Sequence, residues 1–401
     1  MIKIKRCEIM SHDSAKYENL KEAREDRKLW EREPQTKIKH QLLKKYISPW
    51  MAILLQHQER YRSGGKLIYI DGFAGPGLYL RGSSSKAKVL GSPLIVANLA
   101  KKYIRNNSDR KISIICIDKD IKNVKHLNYY LSRFNVRYNQ HWKAYHDRFD
   151  NSINNLLNMF ESKGLTTPPM FFFIDPFGYS GFPISTLKRI MNYPKVELFI
   201  NFMVYEITRR IGDHRFEKAM LGLFGTDEYK KALEIIDPEE KSLFLRNLYS
   251  RQIRIEAGVK HVMPFRINTP GQGTKVKYFL IHGSSNFKAL ELMKNSMAKI
   301  SDNEYTYEAI GINSHQEDLF ENPEKITLRD KLSNFVQSFG EVGILYDDLY
   351  KWAYKTTSGI SKTIIGELLV LESKEAIIVK RKPRQLKNTV AKGARIIYKN
   401  T

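Results

Sequence analysis

Lys66-Leu-Ile-Tyr-Ile-Asp-Gly-Phe-Ala-Gly-Pro-Gly77 sets the fold of this chain, because an apolar run stops at an Asp and continues into a glycine-rich loop. Phe171-Phe-Phe-Ile-Asp-Pro-Phe-Gly178 repeats this plan farther along the chain. Short apolar runs that end at a polar residue are typical of buried parallel strands. Open α/β folds bind their ligands at the carboxyl edge of such strands. The two stretches therefore predict an α/β fold with a ligand site where they end.

Apolar runs and helical periodicities alternate along the middle of the chain. Further strands are predicted at residues 112–117, 142–145, 170–174 and 196–201. Helices are predicted between them at residues 92–106, 119–134, 149–163 and 184–191. The alternation favours a parallel sheet, and strands at 261–267 and 276–282 predict a closing antiparallel hairpin. A methyltransferase-type Rossmann-like sheet ends in this way, whereas a dinucleotide-binding Rossmann sheet keeps all its strands parallel.

The chain is predicted to divide into four parts. Residues 1–64 form an N-terminal helical segment, and residues 65–300 form the methyltransferase-like Rossmann domain with a helical insertion at about 202–258. Residues 301–326 form a polar linker, and residues 327–401 form a basic module. Three amphipathic helices followed by two short strands predict that this module is a winged helix-turn-helix.

Composition narrows the class of protein. The 401 residues carry a formal net charge of +24, which favours a polyanionic partner because Lys and Arg release counterions from phosphates. A solvated basic surface is the alternative. The two cysteines, Cys7 and Cys116, form neither a disulfide framework nor a CxxC metal site. No apolar stretch is long enough to span a membrane and no secretory segment is visible, so we expect a cytoplasmic protein without a metal or a membrane partner.

The glycine-rich loop is predicted to bind S-adenosylmethionine. The residues expected to contact the cofactor here are Asp71, Gly72, Phe73, Ala74, Gly75 and Gly77. Glycines permit positive φ and a close approach of backbone to ligand. The spacing is not GxGxxG and lacks the Lys-Ser/Thr ending of a phosphate-binding loop. Asp71 would receive the ammonium group of the cofactor, while a sharp turn without a ligand is the alternative.

Acids also follow the next two strands. Asp118 is predicted to accept both ribose hydroxyl protons, with Asp120 as the competing residue. Either carboxylate could instead cap the following helix. Asp147 is predicted to accept from the adenine amino group, and a surface turn is its alternative.

Asp175-Pro-Phe-Gly178 is interpreted as a site for a nucleic-acid base. Amino-group methyltransferases carry Asp/Asn-Pro-Pro-aromatic at this place. The Asp175 carboxylate and the Pro176 carbonyl would accept the two amino hydrogens, and Phe177 would stack on a flipped-out base. The second Pro is absent and the aromatic comes one residue early, so the tetrad resembles that of transfer-RNA guanine-N2 dimethyltransferases. A structural strand-end turn is the alternative, and Tyr179 or Phe182 could replace Phe177 in stacking.

Basic residues crowd the C-terminal module and are predicted to contact nucleic-acid phosphates. The candidates are Lys355, Lys362, Lys380, Arg381, Lys382, Arg384, Lys387 and Lys392. A basic tail or a module for protein contact is the alternative.

The motifs together resemble the three-Cys-motif partner proteins (TcmP) over roughly residues 30–300. The resemblance begins at Thr36-Lys-Ile-Lys-His40 and Leu43-Lys-Lys-Tyr46. It continues through Tyr69-Ile-Asp-Gly-Phe-Ala-Gly-Pro-Gly77, Gly91-Ser-Pro93 and Phe173-Ile-Asp-Pro-Phe-Gly178 to residues 197–201. It implies a methyltransferase-like fold, a bacterial or phage setting and a protein partner with three cysteines. The resemblance does not extend to a substrate. The tetrad at Asp175–Gly178 and the basic charge lead us to expect an S-adenosylmethionine-dependent methyltransferase that modifies an amino group of a DNA or RNA base. The alternative is a catalytically silent nucleic-acid-binding subunit of a partner or defence complex.

Overall fold

A seven-stranded sheet forms the centre of the computed structural model, which describes residues 29–61, 65–82, 85–134, 140–268, 276–300, 327–357 and 359–399. Its strands are β1 (Lys66–Asp71), β4 (Lys111–Asp118), β5 (Trp142–His146), β6 (Met170–Ile174), β7 (Val196–Phe202), β8 (His261–Asn268) and β9 (Val276–Ser284). A separate hairpin, β2 (Leu78–Gly82) with β3 (Ser85–Leu90), follows the glycine-rich loop.

The strand order is β5-β4-β1-β6-β7-β9-β8, and β9 pairs antiparallel with both β7 and β8. The predicted mostly parallel sheet is therefore confirmed, and its order is consistent with a methyltransferase-like fold. The connection between β8 and β9, including residues 269–274, lies outside the described residues. The strand order reverses at β1, because β4 and β5 lie on one side of it and β6 and β7 on the other. The ligand crevice of such a sheet is expected at the carboxyl ends of β1 and its neighbours.

Helices cover both faces of the sheet. One face carries α1 (Pro34–Arg60), α2 (Ser92–Asn106), α3 (Ile121–Phe134) and α9 (Phe287–Ala298). The other face carries α4 (Phe149–Ser162), α5 (Ile184–Met191), α6 (Val204–Arg210), α7 (Glu217–Phe224) and α8 (Pro238–Glu256). Alternate residues of each strand enter opposite cores: Phe171 and Phe173 face the first layer, whereas Phe172 faces the second. Burial on both faces explains why the strands are apolar without interruption.

Two features of the N-terminal half were not predicted. The hairpin β2–β3 extends the glycine-rich loop, and Glu31 forms a parallel bridge with Leu80 of β2. The helix α1 shares a core with the sheet, where Tyr46 and Trp50 are buried. The segment before β1 therefore builds the layer above the carboxyl edge.

The C-terminal part has its own core. It comprises α10 (Leu328–Gln337), β10 (Ile344–Leu345), α11 (Tyr346–Thr356), α12 (Ser361–Ser373), β11 (Ile377–Lys380) and β12 (Arg395–Tyr398). The strands form an antiparallel sheet in the order β10-β12-β11, and Phe335 stacks on Trp352 at 3.7 Å. None of the helices in the described ranges is long and apolar enough to cross a membrane.

Candidate functional site

The glycine-rich loop joins three strand ends through backbone hydrogen bonds. The Gly72 amide donates to the Phe173 carbonyl of β6 at 2.8 Å, and the Ala74 amide donates to the Ile117 carbonyl of β4 at 2.9 Å. The Gly91 amide donates to the Gly77 carbonyl at 2.8 Å. The loop is consequently fixed at the carboxyl edge, between β1 and the start of α2.

The glycines of this loop have different surroundings. A Cβ on Gly72 would lie 2.5 Å from the Phe149 ring, and one on Gly77 would lie 2.6 Å from Leu127. Among the described residues, a Cβ on Gly75 would meet only Trp30, at 3.6 Å, although its φ is +59°. Packing within the fold therefore requires glycine at positions 72 and 77, whereas Gly75 borders the open side of the loop.

Asp71 is fully buried at the end of β1, and its two carboxylate oxygens differ. The Tyr69 hydroxyl donates to Oδ2 at 2.9 Å, whereas Oδ1 is buried and has no hydrogen-bond partner among the described residues. Burial raises the pKa of Asp71 to about 7, although the neighbouring hydroxyls of Ser92 and Tyr69 act in the opposite direction. A buried acceptor without a donor is uncommon in a folded protein and fits a cationic or hydrogen-bonding ligand.

Asp118 holds the glycine-rich loop. Its Oδ2 accepts from the Gly75 amide at 2.8 Å, and its Oδ1 accepts from the Asp120 amide at 2.8 Å and from Asn123 at 3.0 Å. A carboxylate offers about four acceptor positions, so these three bonds leave roughly one. Asp120 accepts from the Lys122 amide at 2.8 Å and caps the start of α3, which was its alternative interpretation.

Other residues predicted to contact a cofactor are engaged within the fold. Asp147 accepts from the Arg148 amide at 2.7 Å and from the Ser152 hydroxyl at 2.9 Å, at the start of α4. The Phe73 ring stacks on Phe149 with 5.7 Å between centroids, and Ala74 is buried. Cys116 is buried in the core and burial raises its pKa, so its thiol is unsuited to nucleophilic chemistry.

Asp175 lies next to a buried lysine, Lys39, to which the sequence analysis gave no role at the site. Lys39 Nζ of α1 is 2.5 Å from Asp175 Oδ2, and the Asn201 amide of β7 donates to Oδ1 at 2.7 Å. The side chains of Lys39 and Asp175 are 8% and 14% exposed. One signal could have found Lys39, because it precedes Leu42 and Leu43 by three and four residues on the apolar face of α1.

The residues after Asp175 separate into buried and exposed side chains. Pro176 is buried, whereas Phe177 is 71% exposed and meets Trp30 edge-to-face with 5.1 Å between centroids. Phe182 is buried in the core, which removes it as a stacking residue. Tyr179 packs edge-to-face on Phe216.

Further polar groups surround the same edge. Burial and the carboxylates of Asp175, Asp71 and Asp118 raise the pKa of Tyr79. The centroid of the Tyr79 ring lies 5.5 Å from that of the His40 ring. Burial and the charge of Lys39 lower the pKa of His40 to about 3, so its imidazole is neutral at pH 7. Several buried polar atoms here have no partner within the part of the chain that the structure describes: Arg32 Nε, Gln35 Oε1, His40 Nδ1 and Asn201 Oδ1.

The predicted basic contacts of the C-terminal part are not all alike. Arg381 pairs with Glu372 at 2.5 Å and donates to the Thr389 carbonyl, so it has a role inside the fold. The remaining candidates are exposed: Lys355, Lys362, Lys380, Lys382, Arg384, Lys387 and Lys392. No cluster of three potential metal ligands occurs in the described ranges.

Comparison with models of protein families and with curated proteins gives no match. Among solved structures, the chain is similar to the Legionella pneumophila protein LPL1258, described as DUF519, with 13% identity over 66% of this chain and 95% of the other and a TM-score of 0.38. A proposed class I S-adenosylmethionine-dependent methyltransferase from Listeria monocytogenes has 11% identity over 60% of each chain and a TM-score of 0.24. A proposed sarcosine dimethylglycine methyltransferase from Galdieria sulphuraria has 12% identity over 60% of this chain and 85% of its own, also with a TM-score of 0.24. Scores this low do not establish a shared fold, so the fold description here comes from the strand order.

Proposed function

We propose that the protein is an S-adenosylmethionine-dependent methyltransferase that acts on an amino group of a nucleic-acid base. One observation carries the proposal: the glycine-rich loop lies at the carboxyl end of β1, in the middle of the sheet. At the base of this loop, Asp71 Oδ1 is buried and has no hydrogen-bond partner among the residues that the structure describes. Ligands of open α/β sheets bind at this place. When bound, S-adenosylmethionine would supply an electrophilic methyl group.

The residues at the edge fit the cofactor in part. Asp71 Oδ1 would accept from its ammonium group, which would satisfy the buried oxygen and stabilise the ionised carboxylate. Gly75 would face it, because of the three glycines only this one leaves room for a Cβ among the residues that the structure describes. Asp118 has about one free acceptor position, so we propose that it receives one ribose hydroxyl rather than two.

The substrate would bind beside Asp175. Lys39 and Asn201 hold the carboxylate in one orientation, with one contact on each oxygen. The second lone pair of an oxygen remains for an amino hydrogen of the base, and the Pro176 carbonyl would accept the other. These two acceptors would turn the nitrogen lone pair toward the methyl group, which is a contribution of orientation.

The C-terminal part would bind nucleic acid as a winged helix-turn-helix. Its order of helix, strand, two helices and two strands supports this proposal. The helix α12 would enter a groove, and the exposed residues between β11 and β12 would lie along phosphates. A protein partner with three cysteines belongs to the same proposal, and the TcmP resemblance supports it.

Calorimetry with S-adenosylmethionine, followed by transfer of a labelled methyl group to total DNA and RNA, tests the proposal. Asp175→Ala should abolish transfer and change cofactor affinity little, because the carboxylate would contact the base and not the cofactor. Circular dichroism checks that the variant stays folded, since Asp175 also pairs with the buried Lys39. Asp109→Ala, at an exposed position remote from the edge, is the matched control. Cofactor binding without any transfer, in the presence of the co-expressed partner, would contradict the enzymatic proposal.

A second candidate function is a catalytically silent nucleic-acid-binding subunit. The ion pair between Lys39 and Asp175 favours it, because both Asp175 oxygens already have partners. The bonds of Asp118 to the loop favour it in the same way. A silent subunit should bind nucleic acid but give no heat with S-adenosylmethionine.

A further inference from the structure

Two aromatic rings from distant parts of the chain stand together above the glycine-rich loop. Trp30 precedes α1 and Phe177 follows β6, and they are 37% and 71% exposed. Their rings meet edge-to-face at 72°. The position of a Cβ on Gly75 lies 3.6 Å from Trp30, so the pair overhangs the open side of the loop.

The backbone of Trp30 is fixed to the hairpin that follows the loop. The Leu80 amide donates to the Trp30 carbonyl at 2.9 Å, and the Arg32 amide donates to the Leu80 carbonyl at 2.9 Å. Residues 30–32 thereby form an isolated parallel bridge beside β2. A ring held in this way keeps its place without a ligand, which lowers the entropic cost of binding a flat partner.

A basic groove begins at the residues that follow Trp30 in the chain. It is lined by Glu31, Arg32, Pro34, Lys37, Arg81 and Val89. Three of these side chains are cations and Glu31 is a carboxylate. Arg32 Nε is buried and has no hydrogen-bond acceptor within the described ranges, so one donor of the groove is left unsatisfied. A run of phosphates would supply that acceptor and match the positive charge.

We propose that Trp30 and Phe177 form a stacking platform for unpaired bases and that Arg32, Lys37 and Arg81 bind the adjoining phosphates. The ligand is a single-stranded segment of nucleic acid, because a duplex buries the faces of its bases. Aromatic rings beside a basic groove are the general means of binding single strands. The inference rests on the nucleic-acid substrate of the proposed function, and it adds where and in what form the strand reaches the edge.

Fluorescence anisotropy without cofactor tests this inference with a labelled oligothymidylate, an abasic strand of equal length and a duplex of equal length. Phe177→Ala and Trp30→Ala should each weaken oligothymidylate binding about 10-fold, because each removes stacking on a base. Binding of the abasic strand should stay unchanged. Tyr61→Ala, at a 67% exposed ring near the other end of α1, is the matched aromatic control.

The cationic residues should behave differently from the rings. Lys37→Gln and Arg81→Gln should weaken oligothymidylate and the abasic strand alike, and each should reduce the salt slope by about 0.7. Lys45→Gln, exposed on the same helix as Lys37, is the control and should leave the slope unchanged.

Phe177→Ala tests the inference even if Trp30→Ala does not fold. The Phe177 ring is mostly exposed, so its removal should not disturb the fold. Oligothymidylate binding equal to that of the wild type in folded Phe177→Ala, or no wild-type binding, would overturn the inference. Wild-type preference for the duplex would overturn it too. The proposed function fails separately: absent heat with S-adenosylmethionine rejects the cofactor, while the dependence of strand binding on Phe177 would stand.

Discussion

At the scale of single residues, the candidate site is defined by polar atoms whose bonding is incomplete. Asp71 has one oxygen bonded to Tyr69 and one buried without a partner among the described residues. Both oxygens of Asp118 accept backbone hydrogen bonds, from Gly75 and from Asp120. Both oxygens of Asp175 also have partners, Lys39 and Asn201. The four strand-end acids look alike in sequence, yet of these four only Asp71 retains a wholly unused buried oxygen within the described ranges.

Asp71 gives a pH dependence with a definite sign. Its folded-state pKa of about 7 lies above the ordinary 3.8, so the folded chain keeps a proton that the unfolded chain loses between these values. Its contribution to the free energy of unfolding should therefore fall as pH rises from about 4 to about 7. A bound ammonium group favours the ionised carboxylate, so S-adenosylmethionine affinity should rise with pH through about 7, by at most tenfold per unit.

Calorimetry between about pH 6 and pH 7.5 measures this effect. Asp71→Asn removes the titrating group and should bind the cofactor weakly, with an affinity independent of pH in that range. Asp109→Asn is the exposed control. The same pH profile in wild type and Asp71→Asn would show that Asp71 does not contact the cofactor.

Gly75 and Gly77 should separate binding from folding. Alanine at either position adopts positive φ at a cost of about 1–2 kcal/mol. Gly77→Ala also collides with Leu127 at 2.6 Å and should lose a further ~1–3 kcal/mol of stability. Gly75→Ala should stay folded and lose cofactor affinity, because its methyl group enters the open side. Urea unfolding and calorimetry measure the two quantities, and unchanged affinity in folded Gly75→Ala would remove the loop as the site.

At the scale of elements, α1 and α9 connect parts that the sequence analysis treated separately. Tyr46 and Trp50 of α1 both donate hydrogen bonds to the buried Glu197 of β7, and the bond from Trp50 is 3.0 Å long. Lys39 of the same helix pairs with Asp175. On α9, buried Lys294 Nζ donates to the carbonyls of Tyr354 and Thr357, at 2.9 and 2.7 Å. Lys294 thus caps the C-terminal end of α11 and joins the C-terminal part to the sheet.

Lys294 should make stability rise at alkaline pH. Burial lowers its pKa from 10.5 to about 7, so between these values the unfolded chain binds a proton that the folded chain does not. The free energy of unfolding should therefore increase with pH over this window, by at most ~1.4 kcal/mol per unit.

Urea unfolding of Lys294→Met at about pH 7 and about pH 9 measures that contribution. The variant should lose the pH-dependent increase, in addition to a constant loss from the two missing hydrogen bonds. Lys288→Met removes an exposed lysine of the same helix and should keep the wild-type increase. Parallel curves for wild type and Lys294→Met would contradict the assignment.

At the scale of the whole molecule, two candidate surfaces carry part of the net charge of +24. One is the groove beside Trp30, and the other is the exposed stretch between β11 and β12. Arg381 belongs to neither, because its ion pair with Glu372 ties β11 to α12. Some of the basic residues that contribute to the net charge therefore stabilise the fold and are not available to bind a partner.

Neutralising the exposed C-terminal residues should lower nucleic-acid affinity through its salt-dependent part. The variant changes Lys380, Lys382, Arg384, Lys387 and Lys392 to Gln. Its slope of log affinity against log salt should fall by about 0.7–0.9 for each phosphate that the protein no longer neutralises. Arg381→Gln should instead lower the thermal unfolding midpoint and leave the slope intact. An unchanged slope in the multiple variant would assign the basic contacts to the groove.

Local patterns in the sequence were enough to predict the strands of the central sheet, the helices between them, the closing hairpin and the strand-end acids, because these depend on periodicity and on turn residues such as Gly75. They did not predict the hairpin β2–β3. The same patterns did not predict what each acid bonds. The contacts of Asp118 with Gly75, of Asp175 with Lys39 and of Phe177 with Trp30 join residues that are distant in the chain. Only the packing of α1 and the hairpin β2–β3 over the sheet brings these groups together, and single-sequence patterns carry no record of such pairings. The edge of the sheet could therefore be located from the sequence, while the bonding of each side chain at that edge follows from the tertiary structure.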